Sequence, residues 1–318
     1  MHKARSLGVG SSAPVALSSA WAWMLISLMA HTGWGAYPVL ARYLQTVSHI
    51  PSMALLATAN IVALAVLIPF VYRHLDLRQL RSPILWGLAV IVVLRAITNL
   101  LAARYTHAIY VQLITLMTPL LVALMSAGLF RDKLPPYTLP AIAFSLLGSL
   151  LMITGDLGAG ELTLVMGLHD WIGIGLAGIS TFCLASYMLL VPRIMRQSVP
   201  GETVLVVQLS ALLVASLMIS LVMGEDWGHF ASLGVSDWAL FLAFALFVQL
   251  GANLGQIASL RNLGAPLVSS TMAWRLVSTL MIAALLLGER LTSLWQILGA
   301  ALVLATITTY LWRQRSIG

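Results

Sequence analysis

The 318 residues are 60% hydrophobic and 8% charged, with a mean hydropathy of +0.96. A soluble domain is roughly 25% charged, so lipid and not water is the solvent for most of these side chains. The single cysteine, Cys183, excludes an internal disulfide framework and any multi-cysteine metal site. The net charge of +7 would suggest nucleic acid in a soluble chain, but its bases do not cluster beyond what membrane topology requires, and no nucleic-acid partner is expected.

Residues 1–19 are basic, then small and polar, and read as a cytoplasmic tail. The run that follows is full-length, not the short apolar core of a cleaved signal. Apolar runs then fall at about 20–44, 51–72, 83–103, 107–130, 136–155, 169–192, 202–223, 236–260, 264–287 and 291–312. Strands are excluded as spans because a lipid-exposed sheet needs barrel closure, whereas these runs are continuous and of helix length. The expected fold is therefore an all-α membrane protein of ten transmembrane helices. Pro38, Pro69, Pro119 and Pro192 lie inside runs and are candidates to kink or break them. Connections are too short to hold a soluble catalytic module.

The chain repeats. Shifted by 157 residues, Ala102 to Leu134 aligns without a gap on Ser259 to Leu291. Arg104 falls on Arg261, Val111 on Val268, and the pair Asp132-Lys133 on Glu289-Arg290. A period near half the chain length points to duplication, with one five-helix unit at 20–155 and another at 169–312. An odd number of spans per unit forces the second to enter the membrane inverted, and such folds place their working site at the seam.

Loop charges orient the bundle. With the N-terminus in the cytoplasm, the inner segments carry Lys3, Arg5, Arg73, Arg78, Arg81, Arg131, Lys133, Arg193, Arg196, Arg261, Arg313 and Arg315. The outer segments carry only Arg42, Arg104 and Arg290. This is the positive-inside pattern, and both termini are expected in the cytoplasm, at the cytoplasmic (inner) membrane.

Two bases remain at mid-span, Arg95 and Arg275. A charge at the bilayer centre costs at least about 2.5–3.5 kcal/mol, so neither is expected to face lipid. No Asp or Glu lies in the interior of any run to pair with them; Asp170, Glu202 and Asp237 sit at the very edges. Two readings stand for each: contact with an anionic substrate group or a gate, and structural bonding between helices. Asn99 lies one turn beyond Arg95 on the same face. Gln249, Asn253 and Gln256 form an i, i+4, i+7 stripe, and Gln112 heads a weaker one with Thr115 and Thr118. Asn60 and Gln208 are other mid-span amides. Singly, such groups make interhelical hydrogen bonds worth roughly 0.6 kcal/mol; together they suggest a wet central cavity. Trp34, Tyr37, Tyr110, Tyr187 and Trp274 are candidate aromatic walls or interfacial anchors. His31, alone in the first run, is either a coupling-proton carrier or a neutral hydrogen-bonded side chain.

Three stretches resemble the EamA family of the drug/metabolite transporter superfamily: WGAYPVLARYL at Trp34–Leu44, the segment Ala103–Leu134 with its central Pro119, and LLLGERLTSLWQILGAALVLA at Leu285–Ala305. The acid–base pair before a leucine is intact at Gly288-Glu289-Arg290 and degraded at Arg131-Asp132-Lys133. The resemblance implies ten helices, a central cavity and alternating access, with export of metabolites as a common role. Where the second copy would show its proline, this chain has Trp274-Arg275-Leu276, which points toward an anion-bearing substrate.

The expected function is secondary transport, by export, of a small polar metabolite bearing a carboxylate, such as an amino acid. An organic-anion or phosphorylated-metabolite exchanger is the alternative. Arg275 and Arg95 would attract the anion; Asn99, Gln112, Asn253 and Gln256 would read its polar atoms; Trp274 and Tyr110 would pack against it. His31 is the candidate for a coupling proton. No cofactor or metal is expected. An enzyme is not expected, since HExxH, GxSxG and buried acids are absent from the sequence. A non-transporting sensor or assembly subunit is the rival from another class.

Overall fold

The structure, a computed structural model, describes residues 17–72, 82–130, 137–154, 167–195, 201–263, 268, 271–289, 291 and 293–315. Every described element is helical, as chain in lipid requires when each backbone group must find its partner within its own segment. In order they are α1 (Leu17–Thr46), α2 (Ser52–Val71), α3 (Pro83–Tyr105), α4 (Ala108–Leu116), α5 (Thr118–Phe130), α6 (Thr138–Thr154), α7 (Leu168–Met195) and α8 (Gly201–Met223). A 3-10 turn (Trp227–Ser232) follows, then α9 (Val235–Leu242), a π-helix (Ala243–Ala252), α10 (Asn253–Leu263), α11 (Trp274–Leu286) and α12 (Leu294–Arg315).

Among these, 6 segments are long and apolar enough to cross a membrane: Ser52–Val71, Pro83–Tyr105, Ala108–Leu129, Leu168–Leu190, Gly201–Met223 and Val235–Ser259. Thr138–Leu151, Trp274–Leu286 and Leu294–Tyr310 are shorter apolar helices. Large apolar side chains cover the outside; Val222, Val235 and Leu285 are 87%, 89% and 82% exposed. Such a surface belongs in lipid. The molecule is a multi-pass membrane protein.

Among the described residues, helices occupy the apolar runs with two interruptions. The run near 107–130 breaks at Met117, between α4 and α5. Pro119 has no N–H to give the Thr115 carbonyl one turn back. The Thr118 hydroxyl donates to that carbonyl instead. Leu120 and Leu121 restart the ladder on the Met117 carbonyl, both at 3.1 Å. The run near 264–287 is interrupted as well: turn residues 271–273 precede α11, which starts at Trp274. Pro38 and Pro69 sit inside unbroken helices. Residues 1–16 of the N-terminal tail, the bases Arg73, Arg78, Arg81, Arg131, Lys133 and Arg196, and Arg290 lie outside the described residues; 17–19, read as tail, begin α1.

α1 runs through the interior, against α3, α4, the π-helix, α10 and α11; α3 packs on α7 and α8, α2 on α8, α6 on α12, and α4 on α7 and α11. At Gly35 the α1 backbone meets α11 so closely that an added Cβ would collide with the Ser278 hydroxyl and the Arg275 carbonyl. Thr279 Oγ1 uses the gap to donate to the Gly35 carbonyl at 2.7 Å.

Carboxylates tie one end of the bundle. Glu225 accepts from the backbone N–H of Met53 (3.1 Å) and Ala54 (2.7 Å), capping α2 from beyond α8. Ser48 donates to Asp237 at 2.6 Å. Beyond α11, Glu289 pairs with Arg42 (3.1 Å) and His107 (3.4 Å) and accepts from the Ala108 N–H at 3.4 Å.

Candidate functional site

Deep in the bundle, α1, α3, α7, α8, the π-helix and α10 enclose a cavity of about 40 Å³. That is room for water and not for a metabolite. Its polar lining is Trp34, Tyr37, Arg95, Asn99, Tyr187, Gln208, Gln249 and Asn253; Val92, Ala96, Leu205, Leu209 and Leu212 complete it. The π-helix shapes one wall. An i→i+5 register widens the helix and changes which backbone groups pair. Asn253, at the start of α10, turns its side-chain N–H back to the Gln249 carbonyl at 2.7 Å.

Arg95 projects into the cavity from α3. Among the described residues no carboxylate pairs with its guanidinium and no acceptor hydrogen-bonds it. It lies over the Trp34 ring, 4.9 Å from the centroid. A desolvated cation–π contact of this kind gains about 2 kcal/mol, less than full burial of a cation costs without a counter-charge. The Arg95 carbonyl accepts from Ser180 at 3.1 Å, which joins α3 to α7 at the level of the cavity.

Arg275 lies just behind. It is 3% exposed, so it faces protein and not lipid. Its carbon Cζ is 5.7 Å from the same Trp34 ring. Its Nε–H donates to His31 Nδ1 at 2.9 Å, and an Nη donates to Gln256 Oε1 at 3.4 Å. An arginine always donates, so His31 Nδ1 is the acceptor here. The imidazole proton then sits on Nε2, which gives it to the Val268 carbonyl at 3.2 Å. His31 is thus a neutral ring with both nitrogens occupied.

Of the residues singled out in the sequence, Arg95, Asn99 and Asn253 line the cavity together. Arg275, His31 and Gln256 form the cluster beside it. Three others are placed elsewhere. Tyr110 belongs to an apolar core with Val39, Leu113 and Leu276, edge-on to His107. Gln112 is buried on α4 with its Nε2 unpaired, away from the cavity wall. Trp274 is 40% exposed and donates its indole N–H to Thr32 at 2.9 Å, on the outside of the α1–α11 contact. Trp34, Tyr37, Tyr187, Gln208 and Gln249 take their places. Gln249 was marked in the sequence by its stripe with Asn253 and Gln256; the signal of the other four was depth within a run, shared with many aromatic and amide side chains that only pack.

Four buried polar atoms of this lining have no hydrogen-bond partner: Trp34 Nε1, the Tyr37 hydroxyl, Asn99 Oδ1 and Gln249 Nε2. Unmet groups are costly in a low-dielectric interior, and their gathering around one cavity marks a place that water or a ligand completes. Among the described residues no group of three or more His, Cys, Asp or Glu side chains could hold a metal ion.

Comparison with solved structures finds a crystal structure that superposes with a TM-score of 0.63 at 20% sequence identity, covering 94% of this chain and 99% of that one. At that identity the likeness speaks for the fold alone. No curated protein matches the chain. Residues 21–154, which carry α1 to α6, match the EamA-like transporter family. Over that segment the chain is similar to the EamA-like transporter family of the drug/metabolite transporter superfamily.

Proposed function

We propose that the protein is a secondary transporter that carries a small polar, carboxylate-bearing metabolite across the cytoplasmic membrane, by alternating access through the Arg95 cavity. Its architecture in this reading is ten transmembrane helices in two inverted five-helix repeats. The helix pairings support that architecture. Exchanging the halves turns the α3–α7 contact into that between α1 and the π-helix–α10 segment, and the α4–α7 contact into α1–α11. The same exchange maps α2–α8 and α6–α12 onto themselves. The helix breaks agree with it too, since Trp274 opens α11 one residue short of the 157-residue repeat from Thr118 of α5. A cavity of about 40 Å³ must widen to load, which fits an occluded stage of such a cycle.

The observation that carries the proposal is Arg95: a cation inside the protein, with no counter-charge among the described residues, lining a cavity between the helices of the two halves. The site supplies what a carboxylate needs and lacks what a cation needs. Export is the favoured direction. The exchanger of larger organic or phosphorylated anions keeps support from Arg275, a second guanidinium within reach of the Trp34 ring.

The test is counterflow in proteoliposomes with labelled carboxylate metabolites. Wild-type protein should exchange at least one of them, and Arg95→Gln or Arg275→Gln should lower the rate by at least tenfold with the same yield of folded protein. Undiminished flux in Arg95→Gln would remove this cavity from the pathway. No flux with any solute would favour the sensor or assembly subunit.

A further inference from the structure

Charge inside the cavity narrows the substrate class further, provided that the cavity is the transport site. We infer that the substrate is a net anion, a carboxylate whose neighbouring function is a neutral hydroxyl or carbonyl oxygen, and that zwitterionic amino acids are rejected. A zwitterion brings no net charge, so Arg95 and the adjacent Arg275 would stay uncompensated, and its ammonium would sit beside both. No Asp or Glu lies on the cavity wall. An anion leaves one fewer buried positive charge, and desolvated charge is the most expensive thing to leave unbalanced.

The unpaired polar atoms agree with the charge count. Trp34 Nε1 and Gln249 Nε2 are donors, and the Arg95 guanidinium adds more. A carboxylate only accepts, so it suits that set. Asn99 Oδ1 is a single unpaired acceptor, and the Tyr37 hydroxyl can donate or accept. Together they match a hydroxyl, which gives one proton and takes one. An ammonium has three protons to give and nothing to accept with. It would leave donors of the wall unmet.

The experiment compares matched acids that differ only at the second carbon. Lactate, pyruvate and alanine form one set; 2-hydroxyisocaproate, 2-oxoisocaproate and leucine a second; 2-hydroxyglutarate, 2-oxoglutarate and glutamate a third. Each is titrated at neutral pH into the purified full chain, with dissociation constants read from thermal shift. In at least one set the hydroxy or oxo acid should bind at least tenfold tighter than its amino partner. Arg95→Gln should bring that ratio toward one, and Arg95→Lys should keep it. A purely structural role for Arg95 would move stability and leave the ratio unchanged. An amino acid that binds as tightly as its partners, or no binding in any set, overturns the inference. Flux separates the two readings: Arg95-dependent amino acid counterflow would end the net-anion inference and leave the transporter standing, while Arg95-independent flux would end both.

Discussion

A single hydrogen bond gives His31 its part in the molecule. Because Arg275 Nε–H occupies Nδ1, a proton can reach that nitrogen only if the guanidinium leaves, and two cations cannot then stay in contact. Proton binding and the His31–Arg275 bond therefore exclude each other. The released guanidinium is 5.7 Å from the Trp34 ring, a short step from the cavity, where it would add a positive charge as an anion arrives. No carboxylate among the residues described here faces the pair; the other contacts are the Val268 carbonyl and Gln256. On this basis His31→Gln should retain downhill counterflow and lose accumulation driven by a pH gradient. Measured gradient-driven accumulation equal to wild type would dismiss His31 as the coupling site. At this scale the sequence was partly legible. That Arg95 and Arg275 avoid lipid follows from the cost of a bare charge in hydrocarbon, whatever the packing. Which aromatics meet them does not follow, because depth in a run says nothing of the direction in which a ring points. Trp34 faces the guanidinium groups and Trp274 faces outward, though both sit at mid-run.

Helices were legible from continuous apolar length, and the break before α5 from Pro119, whose missing N–H has a local consequence. The π-helix at Ala243–Ala252 had no such marker. It packs closely on α1, where at Gly33 an added Cβ would meet the Ala252 side chain at 2.9 Å. Equally hidden was the partner of Glu289. Its place after α11 was readable from Gly288-Glu289-Arg290, but its hold on Arg42 of α1 and on the α4 N-terminus is tertiary. That carboxylate joins three separate elements at one end of the bundle, and its side chain is 8% exposed. A partly buried charged pair is strongly missed when one member is removed. In the proposed alternating-access cycle, opening at this end would part these groups. Glu289→Gln should therefore favour the form open at that end: a cysteine placed at Asn99 in a Cys183→Ser background should react at least threefold faster with an impermeant thiol reagent added from that side. Unchanged reactivity would leave Glu289 as a helix cap and nothing more.

At the scale of the whole molecule, several of the described carboxylates gather at one end. Glu225, Asp237 and Glu289 all lie at the end where α1 meets α2, α3 meets α4, and α8 meets α9. In the proposed ten-span topology the sequence assigns the bases Arg73, Arg78, Arg81, Arg131, Lys133 and Arg196 to the opposite, inner connections. Translocation retains Lys- and Arg-rich loops in the cytoplasm and is nearly indifferent to acids, so the acid-tied end should face outward, with both termini on the inner side. The single cysteine, Cys183, is buried in α7, and Cys183→Ser gives a silent background for mapping. Ser236→Cys, exposed at the start of α9, should label in intact cells with an impermeant maleimide. Gln79→Cys should label only after the membrane is permeabilised. Reversed labelling would invert the orientation and with it the side from which the Arg42–Glu289 tie is approached. Labelling of both from one side would break the alternation itself, and the inverted repeat would go with it, because an exchange of halves needs an odd number of spans in each.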